Sequence, residues 1–525
     1  MRVRPLNRLP GRTPSAAPRR GSAPAHAAGS LYDPGTVCRV GQDEGDQVSV
    51  GSGTVSFQTV RETNLGVVLR TVRELAPCSR AAVAAATGLN KTTVSSLVAD
   101  LMARRLVRET GRSSRQRVGR PGVLLDLDDS SIAAIGLEVN VDYLSVVAVD
   151  LLQRELVSRH VPFDARSAGA EACARHIART LGATVADPAL RGRTVVGVSV
   201  AVPALIDAPS GTVRHAPNLG WRDVPLRDRL SELLCEAGVE GVPVRVDNDA
   251  NLGAVAEYRV GSFAGTADLA YLTGEVGIGA GILTGGGLLR GVSGFAGEVG
   301  HLSLAPDGPE CACGRRGCLE ALAGIGAILR GAVPDRFPDH PLSGSDVAEL
   351  VGAAVERAEA GDDAAVGALE RAGTWLGRGL AVLINVTNPS LVVLGGYFVP
   401  LGPWLLPNCR AEAAASAFAP EAGGCRVELS SLGLSAAARG GATAMIHSLD
   451  AGLLPLPGPV APASEPAAPV TGPEPAAPAP DPASASSEEP TAEPTAEPTA
   501  EPAAGHAESP ATDAAHPGGD TADTA

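Results

Sequence analysis

A cluster of one histidine and three cysteines between Gly297 and Glu320 constrains this chain more than any other feature. The spacing is H-x9-C-x-C-x4-C, and its members are His301, Cys311, Cys313 and Cys318. One imidazole and three thiolates form a closed tetrahedral set of the kind that structural zinc prefers. Gly314 and Gly317 permit the tight turns that bring three thiols around one ion. The spacing therefore predicts a structural zinc site.

A disulfide or a set of idle thiols is the alternative interpretation of these cysteines. Cys311 and Cys313 are too close in sequence to pair easily, and the other six cysteines are scattered along the chain. Two carboxylates, Glu298 and Glu320, flank the cluster. We therefore expect the metal to hold polar groups in place beside a binding site.

The segment also resembles the zinc signature of the ROK family, which contains repressors, open reading frames and sugar kinases. The resemblance lies in Gly-Glu-hydrophobic-Gly-His, followed at a matching separation by CxCGxxGCLE. It implies a zinc ion held by the four residues of the cluster.

Length and composition allow several folded domains. The chain has 525 residues, of which 44% are hydrophobic. No apolar run approaches the roughly 20 residues of a membrane helix, and prolines and glycines interrupt the arginine-containing N-terminus before a signal-peptide core can form. Thiolate ligands fit a reducing compartment. We therefore predict a cytoplasmic protein with no membrane partner.

Charge is distributed unevenly along the chain. Residues 57–122 contain 12 Lys and Arg against 4 Asp and Glu, a net charge of +8. Residues 451–525 contain no Lys or Arg and 12 Asp and Glu. The basic block suits a polyanionic partner. Residues 1–56 and 455–525 lack hydrophobic periodicity and are rich in proline and small or polar residues, so we predict a disordered leader and a disordered acidic tail.

Three helices are predicted at the start of the basic block. Apolar residues at helical spacing define the first, which Pro77 stops. Ser79 is predicted to cap the second helix, which ends at Gly88, and Asn90 to cap the third. A buried stripe is predicted on the third helix, formed by Val94, Leu97, Val98 and Leu101. Two helices joined by a glycine-containing turn are typical of a helix-turn-helix.

Two short predicted strands, LVRET and VLLDLD, enclose the arginine-rich loop GRSSRQRVGRPG, which is the pattern of a wing. We predict that residues 57–128 form a winged helix-turn-helix that binds operator DNA; a helical bundle with a solvated basic face is the alternative. The residues predicted to contact DNA are Ser79, Lys91, Thr92, Thr93, Ser95, Arg112, Arg115, Arg117 and Arg120. The run SRAAVAAATGLNKTTVSSLV and the closing GRP resemble the N-terminal domain of ROK repressors.

From Ser131 onward, strands alternate with helices, which predicts an α/β domain. We expect hairpins at IAAIGLEVNVDYLSVVAVDL and LAYLTGEVGIGAGILTGGG, and a buried strand followed by a loop at TVVGVSVAVPALID. The strand VPVRVDND leads into a helix for which Asp249 is a candidate N-cap. Later helices are predicted around 345–359, 374–388 and 404–417. Two such halves resemble the two-lobed, actin-like sugar kinase fold of ROK proteins, over residues 131–450.

Polar residues that suit vicinal sugar hydroxyls are concentrated in four motifs: HAPNLGW, DNDAN, GEVGH and GCLE. Any one of these residues alone would more often be a surface or capping residue, and it is their joint presence that favours a sugar site. The matching positions in ROK proteins bind hexose hydroxyls, and the aspartate that matches Asp249 is the kinase base. The resemblance therefore implies a sugar site formed by Asn218, Asn248, Asp249, Glu298, His301 and Glu320. His301 would bind zinc through one ring nitrogen and a hydroxyl through the other.

The two phosphate-binding motifs of ROK kinases are altered in this chain. DxGGT corresponds to residues 138–142, EVNVD, which lacks both glycines and has Asp142 in place of threonine. GTGIG corresponds to residues 275–279, EVGIG, which gains Glu275 and loses its threonine. Anionic side chains near a triphosphate lower its affinity. We therefore predict a protein without kinase activity and without a catalytic residue.

Taken together, these patterns predict a sequence-specific DNA-binding regulator of carbohydrate metabolism, a repressor controlled by a sugar or sugar phosphate. A homodimer or larger homo-oligomer is expected, because helix-turn-helix proteins read two half-sites. One alternative is an ATP-dependent sugar kinase fused to a DNA-binding domain. Another is a metal-responsive regulator for which zinc is the signal, although closed four-ligand sites are usually structural.

Overall fold

The computed structural model describes residues 57–112, 123–141, 143–338, 342, 344–418 and 424–459. The predicted leader lies outside this part of the chain, as does the predicted tail from residue 460 onward. Four residues named above also lie outside it: Arg115, Arg117, Arg120 and Asp142. None of the helices in the described ranges is long and apolar enough to cross a membrane.

Three helices and a small sheet form the N-terminal part. Their bounds are α1 Phe57–Leu75, β1 Cys78–Ser79, α2 Arg80–Thr87, α3 Lys91–Ala103, β2 Val107–Arg112 and β3 Val123–Leu127. As predicted, Ser79 Oγ accepts a hydrogen bond from an N–H in the first turn of α2, and α2 ends at Gly88 with φ 72°. Asn90 Oδ1 accepts from the N–H of Thr93 at 2.7 Å and begins α3. Strand β3 pairs antiparallel with both β1 and β2.

The core of this part lies between α1 and α3. The predicted stripe of α3 is buried, with Val94, Leu97, Val98 and Leu101 all at 2% exposure or less. Residues from later in the chain, such as Ile132, Met445 and Leu449, belong to the same core. The N-terminal helices therefore pack directly on the α/β part of the chain.

A five-stranded sheet with order β11-β7-β4-β5-β6 forms the first lobe, which we call lobe I. Its elements are β4 Ile132–Val139, β5 Tyr143–Val149, β6 Glu155–Pro162, α4 Ala165–Val185, β7 Thr194–Val202, α5 Leu226–Glu236 and β11 Val244–Asn248. A second, three-stranded sheet consists of β8 Leu205–Asp207, β9 Thr212–Ala216 and β10 Trp221–Val224. Strand β4 pairs antiparallel with β5 and parallel with β7.

The second lobe, lobe II, repeats this topology with the order β14-β13-β12-β15-β16. Its strands are β12 Leu269–Gly274, β13 Ile278–Thr284, β14 Gly287–Leu288, β15 Leu391–Gly396 and β16 Arg426–Leu429. Its helices are α7 Leu319–Ala323, α8 Ile325–Ala332, α9 Gly344–Glu359, α10 Asp363–Thr387 and α11 Phe398–Ser416. In both lobes the first strand pairs antiparallel with the second and parallel with the fourth. The predicted two-lobed α/β arrangement is confirmed.

Two helices, α6 Asp249–Arg259 and α12 Ala436–Asp450, pack against each other between the sheets. Helix α12 lies on β4 and β7 of lobe I, and α6 contacts β12 and β13 of lobe II. Close approach requires glycine at two positions. A Cβ on Gly136 would lie 1.7 Å from the carbonyl oxygen of Ala438, and one on Gly440 would lie 1.8 Å from that of Leu252. The N-terminus of α6 therefore lies where the lobes meet.

Several elements differ from the sequence-based expectation. Helices α4, α5, α7 and α8 and strands β6, β9 and β10 were not predicted, and the expected loop after β7 contains β8. Helix α10 begins at Asp363, well before the expected start at 374. Residues 455–459, expected to begin the tail, are described, and Pro457 O accepts a hydrogen bond from Arg104 Nη1 at 2.8 Å.

Candidate functional site

A cavity of about 450 Å³ lies where the two lobes meet. Six residues predicted to bind a sugar line it: Asn218, Asn248, Asp249, Glu298, His301 and Glu320. They come from the turn after β9, the junction of β11 with α6, the loop that follows β14, and α7. The structure thus brings together residues that are up to about a hundred positions apart in sequence. That they bind a sugar remains a prediction.

The junction of β11 and α6 places two of these side chains. Asn248 ends the strand and caps the helix, because its Oδ1 accepts from the N–H of Asn251 at 2.9 Å. The expectation that Asp249 is the N-cap is therefore wrong; it is the first residue of the helix. Asp249 Oδ1 instead accepts from Asn248 Nδ2 at 2.9 Å and from the N–H of Ala250 at 2.8 Å.

The carboxyl group of Asp249 has an unusual environment for an acid. Burial raises its pKa to about 6, and the hydrogen bonds from Ala250 and Asn248 oppose that rise while Glu298 adds to it. Near neutral pH the group is therefore mostly ionised, but it is a stronger base than an ordinary aspartate. A carboxylate in this state can accept a hydrogen bond from a hydroxyl group, and it can also take up a proton.

The loop between β14 and α7 carries the acidic side of the cavity. Arg290 in this loop donates from both Nη atoms to Asp247, at 2.9 and 2.6 Å, and so fixes the loop to the end of β11. Glu298 and His301 follow, around a short 3-10 turn. Burial raises the pKa of Glu298, with Glu320 adding repulsion. Glu320 Oε2 accepts from the N–H of Ile278 at 3.1 Å.

The predicted metal-binding residues converge. One ligand atom from each of His301, Cys311, Cys313 and Cys318 lies within 4.8 Å of the others. Cys313 Sγ and Cys318 Sγ are 3.7 Å apart, as are Cys311 Sγ and His301 Nδ1. Two bonds of about 2.3 Å at the tetrahedral angle separate two sulfur atoms by about 3.8 Å. The donor set and its spacing therefore fit a single tetrahedral metal ion.

Glu275 joins the two lobes at the wall of the cavity. Its carboxylate, in the turn after β12, accepts hydrogen bonds from Tyr143 Oη at 3.0 Å and from Asn140 Nδ2, both on lobe I. Behind this contact, Glu138 is 2% exposed, and its Oε2 has no hydrogen-bond partner among the described residues. Burial raises the pKa of Glu138 well above its usual value, and repulsion by Glu275 and Asp249 raises it further.

Two of the cavity-wall residues that sequence reasoning missed are His215 and Arg315. His215 lies on β9, and its Nδ1 is buried without a hydrogen-bond partner in the described part of the chain. The sequence feature that could have identified His215 is its position three residues before Asn218 in the motif HAPN. Arg315 reaches the cavity from the metal-binding loop, where its Nε lies 3.5 Å from Cys313 Sγ. Nothing in its local sequence separates it from the neighbouring Arg316.

The residues predicted to contact DNA divide into three groups. Lys91, Thr92 and Ser95 are exposed on the N-terminal half of α3, whereas Thr93 is partly buried. Ser79 is partly buried, and its Oγ is occupied in capping α2. Arg112 ends β2, and the remaining three arginines lie outside the described residues. The described part thus presents one polar helix face.

The family model described as "ROK family" matches residues 134–448. The xylose repressor of Bacillus spizizenii is 31% identical over 392 residues, which cover 74% of this chain and 97% of that protein. The glucokinase of Halalkalibacterium halodurans is 34% identical over 256 residues, which cover 47% of this chain and 75% of that protein. Repressors and a kinase are therefore both among the similar proteins.

Among solved structures, a ROK family transcriptional regulator described as a homologue of the E. coli MLC protein matches with a TM-score of 0.63. It is 22% identical, and the match covers 75% of this chain and 98% of that one. At this identity the likeness concerns the fold alone. The family match covers more than half of the chain, and together with the 31% identity to a repressor over nearly its full length it shows that this protein belongs to the ROK family.

Proposed function

We propose that this protein is a sugar-responsive transcriptional repressor that binds operator DNA through its N-terminal part and a sugar through the cavity between its lobes. The main observation behind the proposal is that six polar side chains converge on one cavity. Helix α6 begins at this cavity and packs on α12, which in turn contacts the N-terminal helices. The xylose repressor, similar over nearly its full length, supports this assignment.

Residues 57–128 are proposed to be a winged helix-turn-helix domain. Helix α3 is its recognition helix, since Lys91, Thr92 and Ser95 are exposed at its N-terminal half while its apolar stripe is buried. Strands β2 and β3 flank residues 113–122, which lie outside the described residues and in which the sequence, with Arg115, Arg117 and Arg120, predicts a wing. Such a domain combines groups that meet base edges with cations that meet phosphates.

Residues 131–450 are proposed to be the sugar-sensing domain. The amide of Asn218 and the carboxylates of Asp249, Glu298 and Glu320 supply the donors and acceptors that a polyhydroxy ligand requires. Asn248 has a different part, because its side chain caps α6 and donates to Asp249. Asn248 therefore orients the carboxylate of Asp249 and does not itself orient the ligand.

Zinc is the proposed metal, held by His301 and the three cysteines. Bound there, it would supply a rigid tetrahedral cross-link to a loop that has little secondary structure of its own. Because Nδ1 of His301 lies beside Cys311 Sγ, we assign Nδ1 to the metal and Nε2 to the cavity. The metal would thereby orient an imidazole toward the ligand.

The hydrogen bonds at the two altered phosphate motifs support a regulator rather than a kinase. In the turn after β12, the N–H of Ile278 donates to Glu320, and the N–H of Glu275 donates to Gly277 O at 3.0 Å. In the turn after β4, the N–H of Val141 is bonded to Asn140 Oδ1 at 2.7 Å. Backbone amides of this kind are what a phosphate cradle offers, and these three already have partners.

The proposal is tested with the purified full-length chain. A DNA sequence that binds is selected from a library of random duplexes, and its affinity is measured with and without xylose, glucose and N-acetylglucosamine. We expect nanomolar binding that one of these sugars weakens. Failure to select any sequence would reject the DNA-binding assignment, and an affinity that no sugar changes would reject sugar control.

A sugar kinase is the second candidate, favoured by the similar glucokinase and by the position of Asp249, whose carboxyl group has a pKa that burial raises to about 6. Incubation with γ-labelled ATP and each sugar separates the two functions. We expect no labelled sugar phosphate under conditions in which a glucokinase control reacts to completion.

A further inference from the structure

The cavity has a strongly negative wall. Four carboxylates line it, from Asp249, Glu275, Glu298 and Glu320. Among the described lining residues, Arg315 is the one side chain with a permanent positive charge, and its Nε is directed at Cys313 Sγ. The negative groups come from four separate segments of the chain that the fold brings to one cavity.

The carboxylate of Glu275 is held in this wall by the opposite lobe. Tyr143 Oη and Asn140 Nδ2 both donate to it and so fix the carboxylate at the cavity wall. Burial raises the pKa of the neighbouring Glu138, and repulsion from Glu275 and Asp249 raises it further. This part of the cavity wall is therefore unfavourable for a second anion.

One backbone amide beside the cavity is already occupied by a carboxylate. The N–H of Ile278 is bonded to Glu320 Oε2, and a Cβ on Gly277 would lie 2.5 Å from that same oxygen. The carboxylate of Glu320 thus lies directly beside this turn. An anion could bind the N–H of Ile278 only by displacing a carboxylate that belongs to the protein.

We propose that the cavity selects uncharged sugars and rejects phosphorylated ones, and that Glu275 is the specificity-determining residue. This inference rests on the proposed function and narrows its ligand from a sugar or sugar phosphate to the unphosphorylated sugar. A phosphate monoester carries close to two negative charges at neutral pH. Placed among four carboxylates in a partly enclosed cavity, it is repelled more strongly than it would be in water.

The first test compares matched ligands on the full-length protein. Glucose, N-acetylglucosamine, glucose 6-phosphate and N-acetylglucosamine 6-phosphate are titrated by calorimetry at low ionic strength, with xylose as a further free sugar. We expect each phosphorylated sugar to bind at least about tenfold more weakly than its free counterpart. A phosphorylated sugar that binds as tightly as the free one overturns this inference and leaves the proposed function intact.

The second test changes the charge alone. Glu275→Gln keeps the size of the side chain and an acceptor for Tyr143, and should reduce the preference for the free sugar by roughly tenfold. The control is Glu370→Gln on the exposed surface of α10, which removes the same charge away from the cavity and should leave the preference unchanged. An unchanged preference in a folded Glu275→Gln protein overturns the role of Glu275. If no free or phosphorylated sugar binds the wild type, the proposed sugar site and this inference fail together.

Discussion

Arg73 of the first helix is bonded to Asp450 at the end of the last helix, with Nε 2.8 Å from Oδ2 and Nη2 3.2 Å from Oδ1. Their side chains are 17% and 3% exposed. Although burial raises the pKa of Asp450, hydrogen bonds and charges from His447 and Arg73 outweigh it and hold that pKa below its usual range. Because α12 also packs on α6, the pair connects the N-terminal helices to the helix that begins at the cavity.

Arg73→Ala should destabilise the protein by about 3 kcal/mol, because it leaves the buried carboxylate of Asp450 without its main counter-ion. The measurement is urea unfolding near pH 7. Arg175→Ala is the matched control, since its ion pair with Glu171 has both side chains about half exposed and should contribute well under 1 kcal/mol. Equal effects of the two variants would contradict a structural role for the Arg73–Asp450 pair.

The metal-binding prediction is tested by Cys318→Ser. Cys318 is fully buried and adjoins α7, so we expect the variant to lose the bound metal and to unfold at a lower denaturant concentration. Elemental analysis of protein purified without chelators should give one zinc per wild-type chain. Cys409→Ser, a buried cysteine of α11 outside the cluster, should be destabilised but keep its zinc. Absence of metal from the wild type would refute the site.

Local patterns in the sequence were enough to predict the metal cluster and the caps of α2 and α3. The four predicted metal ligands lie within 18 consecutive residues, so their spacing alone limits the geometry. Capping is equally local, because a side chain bonds an N–H two or three residues away. The assignment of the α6 cap was wrong by one residue because Asn248 and Asp249 are both good caps, and only the backbone geometry decides between them.

Long-range contacts could not be predicted in the same way. The bonds from Asn140 and Tyr143 to Glu275 join residues more than 130 positions apart. In the sequence, Glu275 was identified only as a departure from a phosphate motif. Helix α4 was missed because alanine and arginine dominate it and its apolar stripe contrasts little with its other faces. Helix α4 is buried because it packs on the core of lobe I, and this long-range packing cannot be read from the local sequence.

The DNA-binding assignment predicts that Lys91→Ala weakens operator binding. Lys91 is exposed at the start of α3, and loss of one phosphate contact should reduce the slope of log affinity against log salt by about 1. Arg115→Ala and Arg117→Ala in the predicted wing should act similarly. Arg191→Ala, an exposed arginine of lobe I, is the control and should have no effect. Unchanged affinity and salt slope in all three test variants would reject this interface.

Asp249 should make the protein less stable as pH rises through the range from 4 to 6. Its pKa is about 6 in the folded protein and near 3.8 when unfolded, so the folded state binds the proton more tightly. The difference corresponds to about 3 kcal/mol, present as extra stability at low pH and lost above pH 6. Asp249→Asn should remove this slope, and Asp307→Asn, in an exposed loop, should retain it. Urea unfolding at several pH values gives the comparison.

We propose that sugar binding in the cavity is coupled to release of operator DNA. On this basis, Asp249→Asn should bind operator DNA like the wild type but should no longer release it when sugar is added. The substitution keeps the size of the side chain and an oxygen for the N–H of Ala250, so α6 and its contact with α12 should persist. It removes the charged acceptor for a sugar hydroxyl and should weaken sugar binding by about tenfold or more. Glu298→Ala should behave in the same way.

The wild-type response requires that the sugar bind one arrangement of the lobes better than another, because a ligand with equal affinity for both shifts nothing. Through the packing of α6 on α12 and the Arg73–Asp450 pair, such a shift would move the N-terminal helices and change the separation of two recognition helices in a dimer. Operator release is measured by fluorescence anisotropy over a sugar titration. Asp249→Asn protein that binds sugar poorly yet releases DNA at the wild-type sugar concentration would place the sensing site elsewhere.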